Sequence, residues 1–315
     1  MAKRVLAVIG AVALVLVAIV VRSALDDGDT TPGRDDRPSD GQLVAVCDTD
    51  FADQCRALDG AAVRVEPSAT TSAAIVDGTA EDIDVWVTTS AWVELTAARV
   101  ASHEGSIPLG SVQPLAIGDV ALGVVAGRAD ALQGLCGGQP SWRCLGDNAG
   151  RPWADVGGQP TWGAVRTGLP DADTAVGLEV LASVAAGYFG STTFAANDFA
   201  PEAFDGWLAR LAAPSGAGDR DLLATLVRRQ GTYDAGGVLA HEAAPRVELV
   251  TVSLQPSVPV RVVAVQRGGD GLGDGGALRA AFVDAGWTPG GGEPAELLGP
   301  GVMGALHDLW KDVTR

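Results

Sequence analysis

At 315 residues, 47 % of them hydrophobic, the chain is long enough for one large domain or two lobes of ordinary size and apolar enough to fold as a globule. Its formal net charge of −17 repels phosphate backbones and argues against nucleic-acid binding.

Lys3 and Arg4 precede an unbroken apolar run, Val5–Val21, at the lower length limit for a membrane-spanning helix and longer than the usual core of a cleaved signal peptide. Arg22 spoils the small-x-small cleavage pattern. Residues 1–22 are therefore expected to be an uncleaved signal anchor, a transmembrane helix, in preference to a cleaved signal. No cysteine follows the run, which excludes a bacterial lipid anchor. The two basic residues keep the amino terminus cytoplasmic and place the body outside the cell membrane. Residues 23–41, rich in Asp, Pro, Gly, Thr and Ser, read as a flexible acidic linker.

Order is expected from Leu43. Leu43–Val46 reads as a strand, Cys47–Asp50 as a turn, Asp50–Leu58 as a helix, Ala62–Val65 as a second strand, and Ser68–Ser72 as the cap of a helix over 73–77. The stretch from Asp84 to Trp92 then runs from a buried strand, Val85–Val87, through Thr88, Thr89 and Ser90 into a helical pattern. Hydroxyls at the carboxyl end of a strand and the amino end of a helix stand where open α/β sheets bind ligands, although Ser and Thr are also ordinary helix caps. The strand–helix alternation predicts a mainly parallel sheet with helices on its faces.

From Val112 to Gly127 the pattern becomes extended and apolar and reads as a crossing into a second lobe. That lobe should contain a Cys136–Cys144 loop, a strand over Thr161–Arg166, and a turn from Gly168 to Thr174. A buried helix over Ala175–Phe189 and amphipathic helices over Pro201–Ala213 and Asp221–Arg229 follow. Gln230–Ala240 reads as a glycine-containing turn. Strands over 247–252 and 259–266 and closing helices over 278–285 and 302–312 complete the chain. The cysteines form two pairs eight residues apart, Cys47 with Cys55 and Cys136 with Cys144. In an oxidising compartment this predicts two local disulfides; a metal site built from all four thiols is the rival.

Motifs for catalysis are absent. His103, His241 and His307 fall in no His-Glu-x-x-His pattern, and there is no Gly-x-Ser-x-Gly elbow. Gly271–Gly276 matches a dinucleotide fingerprint, but it sits in a glycine run with Asp270 and Asp274 beside the place of a pyrophosphate, and is rejected. Four segments instead share short polar groups at element ends: Thr49 with Asp50; Thr70, Thr71 and Ser72; Thr88, Thr89 and Ser90; and Asp171, Asp173 and Thr174.

The order of these features resembles the type II periplasmic solute-binding proteins, the binding partners of ABC importers. The resemblance is carried by Asp84–Ser90, by Pro114–Gly127 as the crossing strand, by Val165–Asp171 with Thr174, Gly177 and Leu178, by Gly231–Asp234 with Glu242, and by Val247–Gln266 as the return crossing. It implies an α/β fold of two lobes joined by two hinge crossings, with lobe 1 from 42–116 plus 248–315 and lobe 2 from 117–247. It further implies a small polar or anionic solute in the interlobe cleft, an ABC permease or another envelope protein as partner, no cofactor and no catalysis. Carried over by position, the ligand-binding candidates are Thr49, Thr70, Thr71, Thr88, Thr89, Ser90, Thr174 and Tyr233. Trp92 would wall the cleft or lie in the core. The alternatives are a degenerate binding module for envelope sensing or protein interaction and, for want of a nucleophile and base, less readily an exported hydrolase on the same kind of fold.

Overall fold

Short valine-rich runs supply the first strands, β1 (Val44–Cys47), β2 (Ala62–Val65) and β3 (Val85–Thr89), which pair in parallel in the order β2-β1-β3. Parallel neighbours need a crossing between them. Helix α1 (Ser68–Val76) carries the chain from β2 past β1 to β3, and α2 (Ser90–Ser102) leaves β3 without an intervening loop. The computed structural model describes residues 42–199, 202–267, 272, 275–291 and 298–315. The expected signal anchor and linker lie outside the described residues, as do Gly271, Gly273 and Asp274 of the rejected dinucleotide match. Among the described residues no helix is long and apolar enough to cross a membrane.

The helix expected over Asp50–Leu58 is replaced by two short 3-10 turns, Thr49–Phe51 and Gln54–Ala57. The reason is covalent. Cys47 and Cys55 form a disulfide with their Cα atoms 6.5 Å apart. Cys136 and Cys144 form the second disulfide, so no thiol remains for the rival metal site.

The chain continues through β4 (Ser111–Val125), α3 (Ala129–Cys136), α4 (Trp142–Asn148), β5 (Thr167–Gly168), α5 (Ala175–Phe189), α6 (Glu202–Ala212) and α7 (Leu222–Arg228). After these come β6 (Ala235–Leu239), α8 (Ala240–Ala243), β7 (Leu249–Ser253), β8 (Pro259–Gln266), α9 (Gly276–Asp284), β9 (Thr288–Pro289) and α10 (Pro300–Val313). The sheet order is β2-β1-β3-β8-β4-β6-β5, with β7 and β9 also paired to β4. The 15-residue β4 ties the two halves together. Its first part, Ser111–Asp119, pairs with β8, which also pairs with β3. Its last part, Val120–Val125, pairs with β6 and β7.

Three further expectations need correction. The sheet is mixed, not mainly parallel, because β3–β8 and every pair that β4 makes are antiparallel. The strand placed over Thr161–Arg166 is a turn at Pro160–Trp162 followed by loop with a single bridge from Ala164 to Pro152, and the strand itself is only Thr167–Gly168. Trp162 is held instead by aromatic packing, edge-on to Trp153 at 5.3 Å and beneath the Arg128 guanidinium at 3.8 Å. The segment read as a glycine turn contains β6, a fully buried strand. Gly236 and Gly237 hide its apolar pattern, and Gly237 is there because α5 crosses it closely. A Cβ at Gly237 would lie 2.3 Å from Val180 Cγ1 and 3.1 Å from Trp142 Cη2.

The core contains four fully buried tryptophans, Trp86, Trp92, Trp142 and Trp153. In α5 every residue from Ala175 to Ala186 is buried, Glu179 included. Gly237→Ala should destabilise the fold by about 1–3 kcal/mol through overpacking against α5. Thermal or urea unfolding measures this, and an unchanged midpoint would contradict the close crossing.

Candidate functional site

Two of the polar segments singled out in the sequence, those of Asp50 and Thr174, meet at the amino end of α5. A helix start leaves its first backbone N–H groups without partners inside the helix. Here all three of the first N–H groups are capped by side chains. Ala175 N donates to Asp48 Oδ2 at 2.9 Å, Val176 N to Asp50 Oδ2 at 2.7 Å, and Gly177 N to Thr174 Oγ1 at 3.1 Å. Both carboxylates come from the turn after β1, more than 120 residues earlier in the chain. Negative charge at this position also meets the favourable end of the helix dipole.

Asp48 has no solvent exposure and holds more than α5. Its Oδ2 also accepts from Ser68 N at 2.7 Å and Ser68 Oγ at 2.5 Å, at the start of α1. Its Oδ1 accepts from Asp50 N at 2.9 Å. Ser68 Oγ in turn lies 2.6 Å from Thr88 Oγ1. Alongside, Ala69 N donates to Asp173 O at 3.0 Å and the buried Trp92 indole donates to Thr174 O at 2.9 Å. The carboxylate of Asp173 is met by His307 Nε2 at 2.8 Å and Lys311 Nζ at 3.3 Å, both from α10. The His307 hydrogen bond, ahead of Lys311, holds Asp173 below the usual carboxylate range.

The predicted ligand residues divide within this arrangement. Thr88 and Thr174 belong to the network just described. Thr49 is exposed, its hydroxyl 3.4 Å from Asp48 Oδ1. Thr71 is buried and donates to Glu66 Oε1 at 2.7 Å, and Thr70 is exposed. Tyr233 sits in a separate small core with Val125, Leu222, Leu226 and Val238. Trp92 is a core residue. Asp48, Ser68 and His307 were not singled out beforehand. Nothing local marks an acid one residue beyond a strand as the cap of a distant helix.

Thr89 and Ser90 face a second polar group. It contains Glu94 from α2, Glu179 from α5 and Arg261 from β8. Glu179 is 1 % exposed. Burial, and then the Glu94 charge, push its carboxyl up to about 8 against the pull of Thr89 and Arg261. Glu94 is raised by burial and lowered by Arg261. Within the described protein, Ser90 Oγ and Arg261 Nε are buried without a hydrogen-bond partner, while Thr89 lies close enough to Glu179 to hydrogen-bond its carboxyl. Such atoms are rare in folded chains and call for a partner, a water among them. Ser90, Glu94 and Arg261 line one end of a cavity of about 250 Å3 whose walls are mainly Val93, Val112, Ile117 and Val262. A second cavity, of about 330 Å3, lies on the far side of Asp50 and is rimmed by both signs of charge, including Arg220, Glu242 and Arg246. Among the described residues no group of His, Cys, Asp and Glu is arranged to hold a metal.

No protein-family model matches the sequence, and no curated protein matches it. Solved structures do. A periplasmic thiamin binding protein is similar over 89 % of this chain and 98 % of its own, at 12 % identity and a TM-score of 0.51. A putative spermidine/putrescine ABC transporter protein from Listeria monocytogenes is similar over 84 % of both chains, at 12 % identity and a TM-score of 0.47. The first of these likenesses shows the fold: the body shares the α/β fold of that periplasmic binding protein.

Burial and then the neighbouring Asp50 carboxylate push Asp48 up to about 8, opposed by its hydrogen bonds from Asp50, Ser68 and Ala175. Asp50 is also raised, first by burial, but it keeps exposed surface and its rise carries less weight. For Asp48 and Glu179, the folded chain binds more protons than the unfolded chain between pH ~4 and ~8, so stability should fall as pH rises through this window. Thermal unfolding from pH 5 to 8.5 should show that decline. Glu179→Gln should flatten part of it and raise the melting temperature at pH 8. A melting temperature that climbs with pH, or an unaltered slope in the variant, would contradict the assignment.

Proposed function

We propose that the chain is a membrane-tethered, extracytoplasmic solute-binding protein that captures a small polar solute between its lobes and presents it to an ABC-type importer. The observation that supports this most is the meeting of polar segments from both ends of the sheet at the start of α5, carried on a fold whose two halves are joined by β4 and β8. Two such halves can move about those strands as a hinge, and solute bound between them is what closure would retain. Lobe 1 is assigned to 42–116 plus 248–315 and lobe 2 to 117–247. Residues 1–22 are assigned as the anchor and 23–41 as the tether.

A second reading, a sensing or envelope-interaction module with no transported solute, is favoured by one feature. Asp48 and Asp50 already occupy the helix start at which an anionic solute would be held. The readings differ in whether a small molecule binds. In a thermal-shift panel of oxyanions, amino acids, sugars and amines, a true solute at a hundred times its Kd should stabilise the protein by about 2.7 kcal/mol. Absence of any shift would favour the second reading. Oxyanions should rank low, because they must compete with tethered carboxylates. The anchor is tested separately. The chain should remain with membranes after alkaline washing, and protease added to intact spheroplasts should digest the body. Release into the wash or full protection would overturn the topology.

A further inference from the structure

The edge of a sheet offers unpaired backbone groups to another strand, and folded chains guard such edges with charge, proline or shortness. Three edges here are guarded in this way. β5 and β9 are two residues long, and β2 carries Arg64, ion-paired with Glu66 and Asp82. The edge at β7 is not. Its sequence, Leu-Val-Thr-Val-Ser, holds no charge and no proline, and among the described residues it pairs only with β4.

The register fixes which backbone groups of β7 face outward. Residues of an antiparallel strand turn their N–H and C=O alternately toward one neighbour and away from it. Ala126 N donates to Glu248 O, so Glu248, Val250 and Val252 turn toward β4. On the opposite side of β4, Val125 N donates to Asp234 O, as the same alternation requires. Thr251 and Ser253 therefore present their N–H and C=O groups outward, where no described residue bonds them.

Side chains beside this edge form a groove. A cavity of about 370 Å3 runs along β7 and is walled by Val124, Ala129, Pro140, Val250 and Val252. Its far side is α3 and the loop closed by Cys136 and Cys144. Val250 is 42 % exposed, and Val247, just before the strand, is 89 % exposed. Among the described lining residues Asp130 is the only ionisable one; it is exposed and makes no ion pair with a described residue.

Charge selects the occupant. A second copy of this chain would bring another −17 to the edge. The segment 23–41 of the chain itself carries six Asp against two Arg, and is repelled by Asp130. A basic strand is attracted both by the whole molecule and by that side chain.

We propose that β7 is a docking edge for an extended basic segment of another protein. The segment adds a strand alongside Leu249–Ser253, lays apolar side chains on Val250 and Val252, and places a lysine or arginine against Asp130. This edge lies apart from any solute, so the proposal and the solute-binding reading stand or fall separately.

Fluorescence polarisation with the full-length protein in detergent tests this. The probe is a labelled peptide, KVTVKVT, blocked at both ends. One control replaces both lysines with glutamate, and another carries N-methyl groups on all its backbone amides. The lysine peptide should bind at least tenfold more tightly than either control. Thr251→Pro removes an outward N–H and leaves the bonds to β4 in place; it should abolish binding in a protein whose circular dichroism matches the parent. Asp130→Asn should weaken the preference for lysine over glutamate at least threefold. No binding of the lysine peptide, equal binding of the N-methylated control, or unchanged binding in Thr251→Pro would overturn the proposal. If Thr251→Pro fails to fold, the N-methylated control decides alone. Sedimentation that shows a dimer lost in Thr251→Pro, without peptide binding, would assign the edge to a second copy and overturn the proposal as well.

Discussion

The structure depends on one buried carboxylate. Asp48 accepts backbone donors from its own turn, from the start of α1 and from the start of α5, and so joins three elements that are far apart in sequence. Each donor is an N–H that its helix or turn leaves unpaired, so removing the acceptor exposes several deficits together. Asp50 and Thr174 complete the cap of α5. Helix dipole and charge act in the same direction here, while burial acts against them. The resulting balance makes this junction sensitive to protonation, unlike the apolar packing around it.

That junction decides what the rest of the molecule is free to do. In an α/β fold of this kind a helix start facing the partner lobe is a ready anion site, and here the chain fills it from within. Unpaired buried polar atoms remain near β4 and β8, on Ser90 and Arg261. His307 and Lys311 on α10 meet the Asp173 carboxylate beside the junction, adding a further polar contact to the same end of α5.

Much of this architecture was legible in the sequence because it rests on local patterns. The valine-rich runs of β1 and β3, the long apolar stretch of β4 and the all-apolar helix α5 each announced themselves through period and length. The four polar segments were legible for the same reason, since capping residues sit at fixed offsets from apolar runs. What escaped notice was what depends on distant partners. The strand β6 was hidden because Gly237 is dictated by the approach of α5, and Gly236 by that of Gly168 and α7, not by strand propensity. The segment after Cys47 was misread as a helix because a disulfide overrides helical preference there. Asp48 carries no local sign that it will cap a helix 127 residues later. Glu179 is a different case. A single acid inside an otherwise buried apolar helix is visible in the sequence, and its cost demands an explanation.

The account stands on the claim that Asp48 holds the starts of α1 and α5. Amide hydrogen exchange in the parent protein and in Asp48→Ala tests it most directly. The claim predicts that Ser68 and Ala175 exchange at least roughly tenfold faster in the variant while the amides of β4 keep their protection. Unchanged protection at Ser68 and Ala175 would contradict it.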